Sequence, residues 1–224
     1  MSCFKKLNEI IDVENFKLKE ISKTINLSST THSEADKKSS LWENAAALSG
    51  IPSRYRNASI DNCDLLPIGI VELGKRWINA FQKPCLYLHG NTGSGKTYFA
   101  TALYRALVEK KIPWMIFVKS YDLDDELLQA IEDRHEKTKL MKYSEASILF
   151  IDDLGVERPS DRVIRQYFSI IDKRVGEGLV TVLTSNSSKK NLPFGDRMIS
   201  RLEYFYDIEF PKKDLRKNLD LPSL

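Results

Sequence analysis

The sequence predicts an α/β fold, a parallel sheet flanked by helices. Three observations carry that reading. From residue 84 onward, apolar strands alternate with amphipathic helices. The strands are rich in Ile, Val, Leu and Phe on both faces, the composition of strands covered by helices on either side. The first strand also runs into a glycine-rich loop that opens a helix. The chain has only 10 glycines in 224 residues, yet Gly90, Gly93 and Gly95 fall within one short loop.

Taken in order, residues 1–25 read as helix, with Phe4, Leu7, Ile10, Ile11, Phe16, Leu18 and Ile21 as apolar positions. The polar stretch "NLSSTTHSEADKKSS", residues 26–40, reads as a linker. "LWENAAALSGIPSRY" restarts helix and breaks at Gly50-Ile51-Pro52. "CLYLHG" is a strand, residues 97–111 a helix, "WMIFVKS" a strand and "YDLDDELLQAIED" an acidic helix. "ASILFIDD" is a strand, "SDRVIRQYFSIIDKRVGEG" a helix and "LVTVLTSN" a strand. No internal repeat is visible.

Composition bounds the function. The 42% hydrophobic content suits a soluble globular protein, and no apolar run approaches the ~20 residues of a membrane span. The N-terminus "MSCFKKLNEIIDVENF" has no signal-peptide core, so a cytoplasmic protein without a membrane partner is expected. Cys3, Cys63 and Cys85 lie far apart with no C-x-x-C, which argues against a disulfide framework or a cysteine-rich zinc site. A net charge of +3 permits nucleic-acid binding without requiring it.

The chemistry begins in the loop. Gly90-Asn91-Thr92-Gly93-Ser94-Gly95-Lys96-Thr97 fits G-x-x-x-x-G-K-[ST] at every fixed position. Glycines let such a loop turn its N–H groups around a phosphate, and the positive end of the following helix faces the same charge. ATP with Mg²⁺ is the expected ligand. Gly90, Asn91, Thr92, Gly93, Ser94, Gly95, Lys96, Thr97 and Tyr98 would bind it. Lys96 would reach the β- and γ-phosphates, and the Thr97 hydroxyl would ligate the metal.

"ILFIDDLG" ends a strand in two acids. Two acids after a strand can be a mere solvated cap. Beside a phosphate loop, Asp152 would organise Mg²⁺, and Asp153 would orient or deprotonate the attacking water. Asn186, at the polar tip of "VLTSN", can hydrogen-bond the γ-phosphate or the water. Arg197 and Arg201 in "FGDRMISRLE" are spaced to share a helix face, either for phosphate recognition or as a solvated basic face. "PKKDLRKN" adds Lys212, Lys213, Arg216 and Lys217, a surface run of which one member can touch nucleotide.

Together, "IPSRYRNASIDN", "LYLHGNTGSGKTYFATAL", "ILFIDDLGVE", "IIDKRVGEGLVTVLTSN" and "GDRMISRLE" resemble the DnaC/IstB-like branch of AAA+ ATPases, the bacterial and phage helicase loaders. The likeness spans roughly residues 50–210. It implies an AAA+ domain over 50–224 with a minimal C-terminal lid, preceded by a linker and helix at 26–49 and a partner-binding helical segment at 1–25. By position it makes Lys96 and Thr97 the Walker A pair, and Asp152 and Asp153 the Walker B pair. Asn186 becomes sensor I, Arg201 the arginine finger with Arg197 its competitor, and Arg216 the sensor II candidate. The wider class often ends Walker B in Asp-Glu; here it is Asp-Asp, which implies slow hydrolysis. The resemblance further implies a hexameric replicative helicase and single-stranded DNA as partners, and an ATP- or DNA-dependent homo-oligomer. Lys119, Tyr121, Arg158, Arg162 and Arg165 are the candidate DNA contacts. Two other functions share the motifs: an IstB-type transposition helper, and a nucleotide-gated adaptor that scarcely hydrolyses ATP.

Overall fold

Strand β1, Leu86–His89, hydrogen-bonds to a parallel neighbour on each side in the computed structural model. One neighbour is β4, Val180–Ser185, and the other is β5, Tyr206–Glu209. Beyond β4 lie β3, Ile148–Asp152, and β2, Met115–Lys119. The sheet order is β2-β3-β4-β1-β5, parallel throughout. The structure describes residues 34–80, 84–133, 135–155 and 159–218.

Seven α-helices occur among the described residues: α1 (Glu34–Leu48), α2 (Ile68–Asn79), α3 (Lys96–Glu109), α4 (Ser120–Glu132), α5 (Glu136–Glu145), α6 (Asp161–Gly176) and α7 (Asp196–Leu202). Side chains alternate across a strand, so each strand feeds two cores. Leu86, Leu88, Phe150 and Val182 pack on one face with Trp42, Trp77, Phe99 and Leu103. Tyr87, Leu149, Ile151 and Leu183 pack on the other with Leu123, Tyr167, Ile170 and Met198. A fully buried leucine such as Leu88 contributes about 2 kcal/mol by leaving water.

The sheet predicted from sequence is present, with each predicted strand trimmed by a residue or two. Two boundaries differ. Helix α1 starts at Glu34, inside the stretch that reads as linker. The chain divides into the compact units Met1–Lys37 and Lys38–Leu224, so the second unit begins before residue 50. The physical reason is Trp42: it is 1% exposed in the main core and its indole N–H donates to the Arg56 carbonyl at 2.7 Å. The segment expected to bind a partner, residues 1–25, lies outside the described residues.

Because β1, β4 and β3 are consecutive and parallel, their C-terminal ends open on one rim. That rim carries the glycine-rich loop after His89, Asn186 after Ser185, and Asp152 at the end of β3. In an open α/β sheet this is where ligands bind.

Candidate nucleotide site

The loop from Gly90 to Gly95 is shaped by close approach. Gly90 has φ +146, and a Cβ there would stand 2.8 Å from the carbonyl oxygen of Phe210. A larger residue would push the loop off the strand that follows the site. Gly95 then serves as N-cap of α3 with no side chain to cap it. The first-turn N–H groups of a helix have no intrahelical partners, so this end suits an anion.

Lys96 is 4% exposed, and its ammonium is held by three acceptors. They are the carbonyls of Gly90 at 2.8 Å and Asn91 at 2.9 Å, and Oδ1 of Asn186 at 2.9 Å. Burial draws its pKa below the ordinary lysine value. Asp153 and Asp152 oppose that, and Arg216 adds to it. The cation is thus poised between two acids and a basic residue of the C-terminal segment.

Oδ1 of Asp152 accepts two hydroxyls, from Thr97 at 3.0 Å and from Thr184 at 2.6 Å. Burial, then the neighbouring Asp153, pushes the Asp152 carboxyl up to about 6, while both hydroxyls and Lys119 hold it down. Asp153 sits in the left-handed region at φ +59, a conformation few non-glycine residues adopt. Two bonds fix it there. Its N–H donates to Thr184 Oγ1 at 2.9 Å, and its carbonyl accepts the Ser120 hydroxyl at 2.8 Å. The turn swings the Asp153 side chain out of the strand's alternation.

The arginines are distributed differently. Arg201, on α7, forms an ion pair with Asp172 of α6, and its guanidinium lies 5.9 Å from the centre of the Phe168 ring. Arg197, one turn earlier, is exposed. Arg216 pairs with Asp214 beside the phosphate loop. The acid Asp207, near Arg201 in sequence, instead meets His89 at 3.4 Å and Lys189 at 3.7 Å.

A family model for IstB-like ATP binding proteins matches residues 72–200, more than half of the chain. The chain belongs to that family. Its fold is shared by a DnaI crystal structure, with 27% identity and a TM-score of 0.63 over 72% of this chain and 95% of that one. It is shared too by a DnaC helicase loader, with 22% identity and a TM-score of 0.61 over 71% of this chain and 100% of that one. A curated relative is "Chromosomal replication initiator protein DnaA 2" of Protochlamydia amoebophila, 28% identical over 132 residues. That match takes in 58% of this chain but 29% of the relative, so the chain spans under a third of its length.

As a member of the IstB-like family, the chain holds a loop that fits a nucleotide's phosphates: an uncapped helix end, buried Lys96 and glycines no side chain can replace. Thr97 and Asp152 present oxygens that would hold a Mg²⁺ ion, with phosphate oxygens and waters supplying its other ligands, as Mg²⁺ prefers. Among the described residues no cluster of three or more His, Cys, Asp or Glu would hold a metal alone. No helix among them is long and apolar enough to cross a membrane.

Thr184 is the site residue sequence reading misses. It looks like an ordinary β-branched strand residue; only the register that sets β4 beside β3 brings it to Asp152. Of the DNA candidates, Lys119 and Tyr121 are brought together, with Nζ 2.9 Å from the phenol oxygen and the ring 53% exposed. Arg162 and Arg165 are exposed on α6. Arg158 lies outside the described residues. Asn91 and Thr92 are exposed in the loop, Ser94 is buried, and the Tyr98 phenol donates to the Asn62 carbonyl at 3.1 Å.

Proposed function

We propose that this chain is an ATPase that loads a replicative DNA helicase onto single-stranded DNA. The observation that supports it is the convergence of three strand ends. Lys96 reaches Asn186 at 2.9 Å, and Thr97 and Thr184 meet on Asp152. One rim therefore offers a phosphate cation, a metal pair and a polar sensor. Structural likeness to DnaI and to a DnaC helicase loader over nearly their whole lengths favours the loading role.

ATP with Mg²⁺ supplies the free energy of phosphoryl transfer when bound. The chain's residues do the rest. Lys96 exchanges loop carbonyls for β- and γ-phosphate oxygens. Thr97 and Asp152 would hold the metal. Asp153, turned out of its strand, orients the attacking water and takes its proton, and Asn186 hydrogen-bonds the γ-phosphate or the water. Arg201 serves a neighbouring subunit, with Arg197 the competing choice, and Arg216 reads the bound nucleotide. Residues 1–25 bind the helicase, and the Lys119–Tyr121 pair with Arg162 and Arg165 contacts DNA through phosphate neutralisation and base stacking.

The test is turnover and capture with the full chain. ATP hydrolysis should rise with single-stranded DNA, and Lys96→Ala should lose nucleotide affinity while remaining folded. A hexameric replicative helicase should be retained by the chain, but not by the chain lacking residues 1–25. Retention of a transposase in place of the helicase would show a transposition helper. Tight ATP binding with no turnover under any condition would show an adaptor.

A further inference from the structure

After β5 the chain turns back across the phosphate loop. The N–H of Leu215 donates to the Gly93 carbonyl at 2.9 Å, and the Asn91 amide donates to the Lys212 carbonyl at 3.5 Å. Gly93 has φ +81, and a Cβ on it would stand 2.1 Å from Oδ1 of Asp214 and 2.9 Å from Nε of Arg216. A carboxylate and a guanidinium therefore press directly on a loop built to receive anions. They hold each other: Nε meets Oδ1 at 3.1 Å and Nη2 meets Oδ2 at 3.1 Å.

An acid is the wrong charge for that place. We propose that Asp214 is an internal competitor of phosphate for Arg216, so that a nucleotide triphosphate binding at Gly93 takes Arg216 from Asp214 and loosens residues 211–216 from the loop. The inference rests on the nucleotide reading above. The pair is suited to exchange, because the Arg216 side chain is 61% exposed and exposed ion pairs are weak. A phosphate carries more charge than a carboxylate and matches the guanidinium fork equally well. Once phosphate is bound, it repels the Asp214 carboxylate left beside Gly93. Nε of Arg216 stands 2.9 Å from where a Cβ on Gly93 would lie, so the guanidinium is within range of the site it would join.

The bland reading is that Asp214 only caps the short turn Leu215–Asn218, since its Oδ1 also accepts the Arg216 N–H at 3.0 Å. Asp214→Asn separates the two, because the amide oxygen can keep the cap while the charge is gone. Fluorescent methylanthraniloyl-ATP and -ADP are titrated with Mg²⁺ into the full chain. Asp214→Asn should bind the triphosphate about five-fold tighter, an effect of the size an exposed ion pair carries, and the diphosphate with a smaller gain. In an Arg216→Ala background the gain should shrink to the part that comes from relieving repulsion between Asp214 and phosphate. Affinity unchanged or weakened by Asp214→Asn overturns the proposal, as does a gain undiminished in Arg216→Ala. If neither wild type nor Asp214→Asn binds nucleotide, the nucleotide reading fails and this inference falls with it.

Discussion

The hydroxyl of Thr184 lies 2.6 Å from Oδ1 of Asp152, and it is the link between two neighbouring strand ends. The Thr184 hydroxyl oxygen also accepts the N–H of Asp153 at 2.9 Å. One buried hydroxyl thus orients Asp152 and props the left-handed turn at Asp153. Thr184→Val keeps the shape and removes both bonds. The Asp153 N–H is then left without its partner, which should lower stability by about 1–3 kcal/mol. ATP turnover should fall about 10–100-fold, as when an outer partner of a metal ligand is lost. Thr184→Ser should restore most of the turnover. Steady-state ATPase rates and thermal melts of the three proteins check this, and wild-type turnover in Thr184→Val would refute the role.

Asp152 makes stability depend on pH in a direction opposite to most carboxylates. Its folded pKa, about 6, stands above the ordinary 3.8, so the folded state binds the proton more tightly than the unfolded chain. The group's contribution to stability therefore falls as pH rises from about 4 to about 6, and stays lower above that. Asp152→Asn removes the buried charge while its amide oxygen still accepts the Thr97 and Thr184 hydroxyls. Without ligand, the variant should be more stable than wild type at pH 8, by on the order of 3 kcal/mol, and melt correspondingly higher. The difference should close near pH 4. The same variant should weaken the response to Mg²⁺. A melting difference that is constant from pH 4 to pH 8 would rule out burial of this charge as the cause.

What the sequence discloses follows from how local each signal is. The strands of the sheet's middle are legible because both faces are apolar, and the phosphate loop because its residues are contiguous. β5 is missed: "YDIE" is short, and three of its four residues are exposed, so it lacks the apolar run of the others. It becomes a strand only by pairing with β1. α5, "EKTKLMKYSE", is too polar to show a face and is held by tertiary bonds, among them the Tyr143 phenol to Glu126 at 2.7 Å. α2 is hidden because Gly74 interrupts it, yet a Cβ there would stand 2.7 Å from the Phe99 ring, so the glycine serves helix packing. Thr184 and Asp214 act across long stretches of sequence, and no spacing rule points to them.

Arg174 illustrates the same limit in a basic residue. The sequence places Arg174 inside the predicted helix "SDRVIRQYFSIIDKRVGEG" and gives it no role. It is fully buried, and its pKa is pushed down to about 10 by that burial. Its guanidinium donates to the carbonyls of Tyr143 at 2.9 Å, Ala146 at 2.7 Å and Val180 at 2.6 Å, and to the Thr181 hydroxyl at 2.8 Å. It ties the ends of α5 and α6 to the start of β4. Arg174→Met should fill much of the space but strand those acceptors, lowering stability by about 3 kcal/mol or more and the melting temperature by roughly 10 °C. Arg174→Lys should do little better, since an ammonium cannot supply the fork. A melt within a degree or two of wild type for either variant would show that the carbonyls find other partners.

Arg201 presents the choice between a structural and a catalytic cation. Its described partners, Asp172 and Phe168, lie on α6 rather than on the phosphate loop. A structural role predicts that Arg201→Ala and Asp172→Asn destabilise the fold alike, each by under about 1 kcal/mol for a half-exposed pair. A role on a neighbour's nucleotide predicts divergence. Arg201→Ala should lose turnover by as much as the ~10³–10⁵ that an arginine finger supplies in other phosphoryl-transfer enzymes, whereas Asp172→Asn should retain or raise it by releasing the arginine. Such a finger needs a subunit contact that brings Arg201 of one copy to the phosphate loop of another, and a head-to-tail ring or spiral repeats that contact around the assembly. Mixing supplies the decisive measurement. Arg201→Ala and Lys96→Ala subunits should each be inactive alone. In a mixed assembly some interfaces join an intact loop to an intact arginine, so activity should return in part and peak at an intermediate ratio. Assemblies that demonstrably mix yet show no activity at any ratio would leave Arg201 as the partner of Asp172 and nothing more.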